Sequence, residues 1–527
     1  MEVSTPDNPV GKVAHGGFGL PCAGAPKRVT GVTMNCLQDR IESWEQANGV
    51  GRQQVTGTMS YENAVASMFA LGHELAQTPS NKFDLAHMRV LLEGMGHPEK
   101  SFPSVLIAGT NGKGSTAATL ASILLASRLK TGLYTSPHLM RINERIRVNG
   151  KEISDDSFAH LHAEVDRVAE WLVTQGALPW HPSFFEMMTA IAFSHFAQER
   201  VEIAVLEVGM GGRLDATNVV EPRVSVITDI SLDHQKFLGN TVGEIAKEKV
   251  GIIRPGGVVV TLPQQPEAND VIGNTILDLG ATGVSAVQYV PPVSPGSRQY
   301  SVPSTRYSVP GTRNKAGAAD GGVNTDQPSY RYPLQVMGKE ILVETPLVGR
   351  HQLRNVALAI AAADELSKQG FASITAESIE RGVRETRWPG RFQRLAARDG
   401  WPEMVLDVAH NPAGAWALRS ALSERYEDRP LIFVFGAMRD KAISEIAEIL
   451  FPLAERVIAT RPENPRAASA EEIRDAARRT SVEIETVPEV KVALERARES
   501  AGEKALVVVT GSIYLVGEAM QELGVTV

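Results

Sequence analysis

The stretch Ser104-Val105-Leu106-Ile107-Ala108, followed by Gly109-Thr110-Asn111-Gly112-Lys113-Gly114-Ser115, decides the fold of this 527-residue chain. Ser104–Ala108 reads as a short buried strand, the glycines as a turn, and the residues from Thr116 to Arg128 as a helix. A strand, a glycine-rich turn and a helix N-terminus together make an anion site. Backbone N–H groups can approach a phosphate, the helix dipole adds positive potential, and Lys113 supplies a point charge. The strict P-loop pattern is not met: its first glycine would fall at Ile107, and Gly114 separates Lys113 from Ser115. Asn111, Gly112, Lys113, Gly114 and Ser115 are the expected phosphate cradle.

Working outward, apolar strands at Val105–Ala108, Ile203–Val208, Val224–Thr228 and Val258–Thr261 alternate with helical stretches, which indicates a parallel α/β sheet. Toward the N-terminus, Ala64, Met68, Leu71 and Leu75 mark one helical face beginning near Tyr61, and a second helix is expected over Asp84 to Gly94. Residues 1–59, with a short helical stretch at Leu37 to Ala47, read as a poorly ordered arm. Residues 288–330 are crowded with Pro, Ser, Gly, Thr and Asn and read as a low-complexity surface insertion. A long helix is expected over Gln352 to Lys368. Arg387-Trp388-Pro389-Gly390-Arg391 stops regular structure and reads as a hinge. Strand–helix alternation then restarts at Met404–Val408, Leu431–Phe435, Val457–Thr460 and Leu506–Thr510. The expected organisation is therefore an arm, a P-loop domain over 60–387 and a smaller α/β domain over 391–527.

Composition excludes several classes. Hydrophobic residues make up 43% and charged residues 22%, with 53 basic and 61 acidic side chains giving a net charge of −8. Such a balance lacks the broad basic surface of a nucleic-acid binder. No apolar run approaches the roughly 18–20 residues that span a bilayer, and the first 30 residues lack a basic then apolar leader pattern. The two cysteines, Cys22 and Cys36, build neither a disulfide framework nor a thiolate metal site, so the cytoplasm is the expected compartment, with no membrane and no nucleic acid as partners.

Individual residues carry further chemistry. Glu207 ends a buried strand and is followed by Gly209, Gly211 and Gly212; a carboxylate beside a permissive loop at a strand's carboxyl end suits a metal. His234 follows another strand, and two strand ends can bring both to one face. Lys249 lies in a helix among Glu244, Lys247 and Glu248, a pattern that by itself reads as a solvated, salt-bridged face. Phe184 and Phe185 open a helix, where adjacent rings are ordinarily core.

Together these stretches are recognisable. The run GTNGKGS resembles the shortened P-loop of the Mur ligase superfamily, and the interposed Gly114 resembles its folylpolyglutamate synthase/dihydrofolate synthase branch. Ser136-Pro137-His138 with Glu144-Arg145-Ile146, Ser183-Phe184-Phe185-Glu186, Leu206-Glu207-Val208-Gly209 running to Asn218, Asp233-His234 with Glu248-Lys249, and Asp407-Val408-Ala409-His410-Asn411-Pro412 resemble that branch in the same order. The resemblance covers Tyr61 to the C-terminus except 288–330. It implies a P-loop ATPase-like domain with a parallel sheet, a smaller Rossmann-like domain and an active site between them. The implied activity is ATP-dependent addition of L-glutamate to dihydropteroate or to folates through an acyl phosphate, by a monomer.

The resemblance also assigns roles. It makes Ser136, Glu207 and His234 ligands of magnesium, with two ions expected, and Lys249 a carbamylated lysine facing the metal. It places Ser183, Phe184, Phe185, Glu186, Leu214, Asp215 and Ala216 at the pteroate site. Asn355, Arg391 and Asp407 become nucleotide contacts, and His410 and Ser512 glutamate contacts. Lys113, His234, Lys249 and His410 are the expected catalytic set. A regulatory GTPase reading fails on its guanine motif, because the Asn-Lys pair Asn314-Lys315 is followed by Ala316-Gly317 in the insertion.

Overall fold

The computed structural model describes residues 59–72, 85–292 and 330–526, all within one contact unit spanning Arg52–Val527. The first sheet has the order β4-β3-β2-β5-β1-β6-β7-β8. Its strands are β1 (Ser104–Ala108), β2 (Thr131–Tyr134), β3 (Ile146–Val148), β4 (Lys151–Glu152), β5 (Ile203–Glu207), β6 (Val224–Ile227), β7 (Val258–Thr261) and β8 (Thr282–Ser285). Pairing is parallel except at β2–β3 and β3–β4. Strand β1 lies between β5 and β6, with Val105 opposite Val205 on one side and Val224 on the other. All five of its side chains are buried, as a strand covered on both faces requires. The chain leaves β1 toward one edge and later returns to β6 on the other side. The carboxyl ends of β1, β5 and β6 therefore frame a crevice at a topological switch point.

The second sheet has the order β11-β12-β16-β13-β14-β15, with β11 (Gln393–Leu395), β12 (Glu403–Asp407), β13 (Leu431–Phe435), β14 (Arg456–Ala459), β15 (Ile484–Thr486) and β16 (Leu506–Thr510). Only β11–β12 is antiparallel. The run Met404–Val408 was expected as the first strand of this lobe; it is the second, β12, and ends at Asp407. Strand β11 escapes periodicity because it has three residues, and Arg394 in it is paired to Glu403 at 2.6 Å.

Other expectations shift by a few residues. The phosphate-loop helix runs Lys113–Ala126 rather than Thr116–Arg128. Gly112, at φ 86°, turns the chain sharply enough to start the helix at the lysine. The first helix is Tyr61–Ala70, burying Ala64 and Met68; Leu75 lies outside the described residues, as do residues 1–58 with Leu37–Ala47, Cys22 and Cys36. At the insertion, Ala286–Tyr289 forms a 3₁₀ turn and Tyr330 opens a strand, so both ends of 288–330 belong to regular structure; 293–329 lie outside the described residues. A hairpin not expected from the sequence follows: β9 (Tyr330–Val336) and β10 (Lys339–Thr345) pair antiparallel. Tyr330, Tyr332, Leu334 and Val336 point inward and join the core shared with the helix Arg350–Lys368. Among the described residues, no helix is long and apolar enough to cross a membrane.

Candidate active site

Both sheets direct the carboxyl ends of their parallel strands at one cleft of about 1060 Å³. From the first lobe come the loop after β1, Ser136 after β2, Glu207 at the end of β5 and Asp229–His234 after β6. From the second come Asp407–Asn411 after β12, Lys441 after β13 and Ser512 after β16.

The phosphate loop is tied to the segment after β6 by three hydrogen bonds. Thr110 N donates to Asp229 O at 2.7 Å, Thr110 Oγ1 donates to Ser231 O, and Asn111 Nδ2 donates to Ser231 Oγ at 2.9 Å. Lys113 folds back, its Nζ donating to Gly109 O and Thr110 O at 3.2 and 3.3 Å. Its glycines are demanded by close approach. A Cβ on Gly112 would lie 2.2 Å from Asn355 Oδ1 in a left-handed backbone, and a Cβ on Gly114 would lie 2.8 Å from Trp388 Cζ2. The interposed Gly114 thus lets the hinge indole pack on the phosphate-loop helix. Gly114→Ala is expected to lower stability by about 1–3 kcal/mol, read as a lower denaturation midpoint; an unchanged midpoint would show that Trp388 moves freely.

Glu207 is buried, and its Oε2 accepts the Ser136 N–H at 3.1 Å. Burial pushes its carboxyl pKa up, against the pull of Lys113, the Ser136 N–H, Arg391 and Arg145. A desolvated carboxylate facing a cleft favours a cation. With the hydroxyls of Ser115 and Ser136 it supplies the hard oxygen donors that suit Mg²⁺. Among the described residues, no group of three His, Cys, Asp or Glu forms a metal cage. Magnesium ordinarily takes one or two carboxylates, waters and substrate phosphates, so this donor set fits it. His234 lines the same cleft in a left-handed conformation. Burial holds its pKa down to about 3, which keeps the ring neutral and able to act as a ligand.

Lys249 is not on a solvated face: it is 3% exposed, and its Nζ donates to Gly109 O at 2.7 Å. Burial, with help from Lys113, lowers its pKa to about 7.

The expected pteroate residues divide by geometry. Ser183 and Glu186 form a capping box, and Glu186 also pairs with His87 at 2.9 Å; their polar atoms hold the helix start. Phe184 is buried against Phe69 and the Arg145 guanidinium. Phe185 is the ring facing the glycine loop, since a Cβ on Gly209 would lie 2.5 Å from its Cζ. Leu214, Asp215 and Ala216 line the cleft. The Asp215 carboxylate is occupied by Thr217 and the Met210 N–H, so it shapes the loop.

Asn355 packs on Gly112 and donates to Gln352. Arg391 lies where the Asp407 and Glu207 charges both reach it. Asp407 is held by the N–H groups of Phe392 and Ala409. Ser512 is buried and caps the helix Ile513–Glu522, accepting from Tyr514 N at 3.1 Å. His410 Nδ1 lies 3.0 Å from Val408 O, with Nε2 3.7 Å from Asp233 Oδ2.

Two contacts across the lobes were missed from the sequence. Asn411 Nδ2 donates to Asn111 Oδ1 at 2.9 Å, and Lys441 Nζ lies 2.7 Å from Asp233 Oδ1 with both side chains 9% exposed. Burial opposes ionisation of Asp233, but His410, His234 and Lys441 overcome it and hold its carboxyl far below the carboxylate range. A cation just after a strand's carboxyl end was the available signal for Lys441.

A phosphate loop, a buried metal-suited carboxylate and a second α/β lobe closing over both define an ATP-dependent ligase. Residues 107–276 match the Mur ligase middle domain, and residues 390–513 the Mur ligase glutamate ligase domain. A dihydrofolate synthase/folylpolyglutamate synthase of Bacillus subtilis is 33% identical over 444 residues, 83% of this chain and 94% of the relative. A Mycobacterium tuberculosis folylpolyglutamate synthase complexed with ADP and AMPPCP superposes with TM-score 0.73 at 31% identity, covering 88% of this chain and 99% of the other. Escherichia coli FolC in complex with DHPP and ADP superposes with TM-score 0.69 at 27% identity, covering 88% and 98%. The chain belongs to the folylpolyglutamate synthase/dihydrofolate synthase family of Mur ligases, whose members form amide bonds at the expense of ATP.

Proposed function

We propose that the protein joins L-glutamate to dihydropteroate and to reduced folates, activating the acceptor carboxylate as an acyl phosphate. The observation that carries this reading is the single cleft that brings Lys113, Phe185, Glu207, Arg391, His410 and Ser512 together. The relatives bound to ADP and to DHPP support it.

In the first step the acceptor carboxylate attacks the γ-phosphorus, the bond to the bridging oxygen breaks, and ADP leaves. Two anions must meet. Lys113, the helix N-terminus behind it and Arg391 offset that repulsion and the charge that develops on the transferred group. In the second step the glutamate amine attacks the acyl carbon and phosphate departs. His410 Nε2 is the acceptor for the ammonium proton when Nδ1–H donates to Val408 O. The lobe contacts Asn411–Asn111 and Lys441–Asp233 close the cleft against water, which would otherwise hydrolyse the acyl phosphate.

Ser115, Ser136 and Glu207 would hold a first Mg²⁺ and His234 a second, and such ions neutralise phosphate charge when bound. Glu207→Gln is expected to raise the half-saturating Mg²⁺ concentration by at least about tenfold; an unchanged titration would remove Glu207 from the metal site. Lys249, with its amine held near neutrality, is proposed as the site of the carbamate. Protein equilibrated with ¹³C-bicarbonate should give a carbamate resonance that disappears in Lys249→Ala; a parent spectrum without it contradicts the assignment. The reading as a whole is tested by offering ATP, Mg²⁺ and glutamate with dihydropteroate or a reduced folate and following ADP release. Release that needs both glutamate and the acceptor supports it, whereas release indifferent to them contradicts it.

A further inference from the structure

Of the exposed large apolar side chains among the described residues, only Trp416 lines the cleft, at 58% exposure. It stands on the helix Pro412–Arg425, whose N-cap Asn411 accepts from Gly414 N and donates to Asn111 of the phosphate loop. That contact sets the helix against the place where phosphates sit. Trp416 is five residue steps on from Asn411, about 7.5 Å along the axis, comparable with the reach of a ribose from phosphate to base.

Ala413 and Ala417 of the same helix line the cleft with Trp416, as do Leu262 after β7 and Leu358 from the helix Arg350–Lys368. One side of the indole is already backed: the Arg419 guanidinium lies 5.6 Å from the ring centroid, and Arg419 Nη1 also donates to Ile449 O. A ring held in that way loses little freedom when a second flat group stacks on it.

From this geometry we infer that the Trp416 indole is the stacking surface for the adenine base of the bound nucleotide. The inference rests on the reading of the cleft as an ATP site. The pteridine is the other flat group offered, but its ring, Phe185, lies beside Gly209 after β5, on the opposite side of β1 from Leu262 after β7. A purely structural role fits poorly, because more than half of the side chain is left outside any packing.

Titration of the full chain with ADP and with inorganic tripolyphosphate tests it. ADP should quench the tryptophan emission of the parent, and Trp416→Phe, which keeps the other five of six tryptophans, should abolish the quench. By calorimetry, Trp416→Ala should raise the ADP dissociation constant roughly tenfold, the scale of one base–aromatic stack, and leave that of tripolyphosphate unchanged. Trp416→Phe should keep most of the ADP affinity. An ADP constant unchanged in Trp416→Ala, or a Trp416 quench produced by a folate and not by ADP, would overturn the inference while leaving the ATP site intact. Failure of the parent to bind either ADP or tripolyphosphate would remove the ATP reading itself.

Discussion

Lys113→Ala is expected to lose ligase activity by roughly 10³-fold or more, the scale of a removed transition-state charge contact, while circular dichroism and the melting temperature stay at parental values. The side chain touches the loop carbonyls of Gly109 and Thr110 and no apolar core. Its charge faces the cleft beside Glu207 and Lys249. Without it, only Arg391, the helix N-terminus and bound Mg²⁺ would be left to offset the repulsion between the acceptor carboxylate and the γ-phosphate. A variant that keeps its activity within a few-fold would show that Lys113 does not reach the phosphate.

The second large effect is expected at the seam between the lobes. Lys441→Met leaves Asp233 buried with His410, His234 and Asn411 as its remaining partners. Removing one member of a buried pair costs about 3 kcal/mol or more, because the other charge stays desolvated. Urea denaturation should show that loss, and the double variant Lys441→Met/Asp233→Asn should recover part of it. The pH dependence has a fixed sign. Asp233 has a folded pKa depressed below its unfolded value, so its contribution is present above the ordinary carboxylate range and is lost as pH falls through the folded pKa. The difference between parent and Lys441→Met should therefore hold across pH 6–8 and shrink only in strong acid. A difference that vanished between pH 6 and 8 would assign the effect to a histidine instead.

The first lobe was legible because its signals are local. Gly109, Gly112 and Gly114 stand where backbone and rings crowd the loop, and β1, β5 and β6 are short runs buried on both faces. Lys113, Ser115, Glu207 and His234 stand at or soon after those strand ends in sequence, whereas Asn355 and Arg391 were reached only through the family resemblance. Lys249 was illegible without the family because its neighbours Lys247 and Glu248 are the charges of a solvated face, while packing turns Lys249 alone toward Gly109. The hairpin Tyr330–Thr345 was missed although Tyr330, Tyr332, Leu334 and Val336 alternate. It adjoins the Pro- and Gly-rich stretch, and Pro333 inside the strand argues against a central one. Asp233 and Lys441 are 208 residues apart, and nothing in either local pattern announces the other. Trp416 reads on its helix as one more apolar residue; only the placement of Asn411 over Asn111 reveals that it faces the cleft.

The central claim is most directly tested by product mass. The purified chain is incubated with ATP, Mg²⁺ and isotope-labelled L-glutamate, with dihydropteroate in one vessel and a reduced folate in another. The account predicts a product heavier than the acceptor by one labelled glutamyl residue, with one ADP released per amide bond formed. ADP release without any glutamylated product, at a rate unaffected by glutamate, would contradict it.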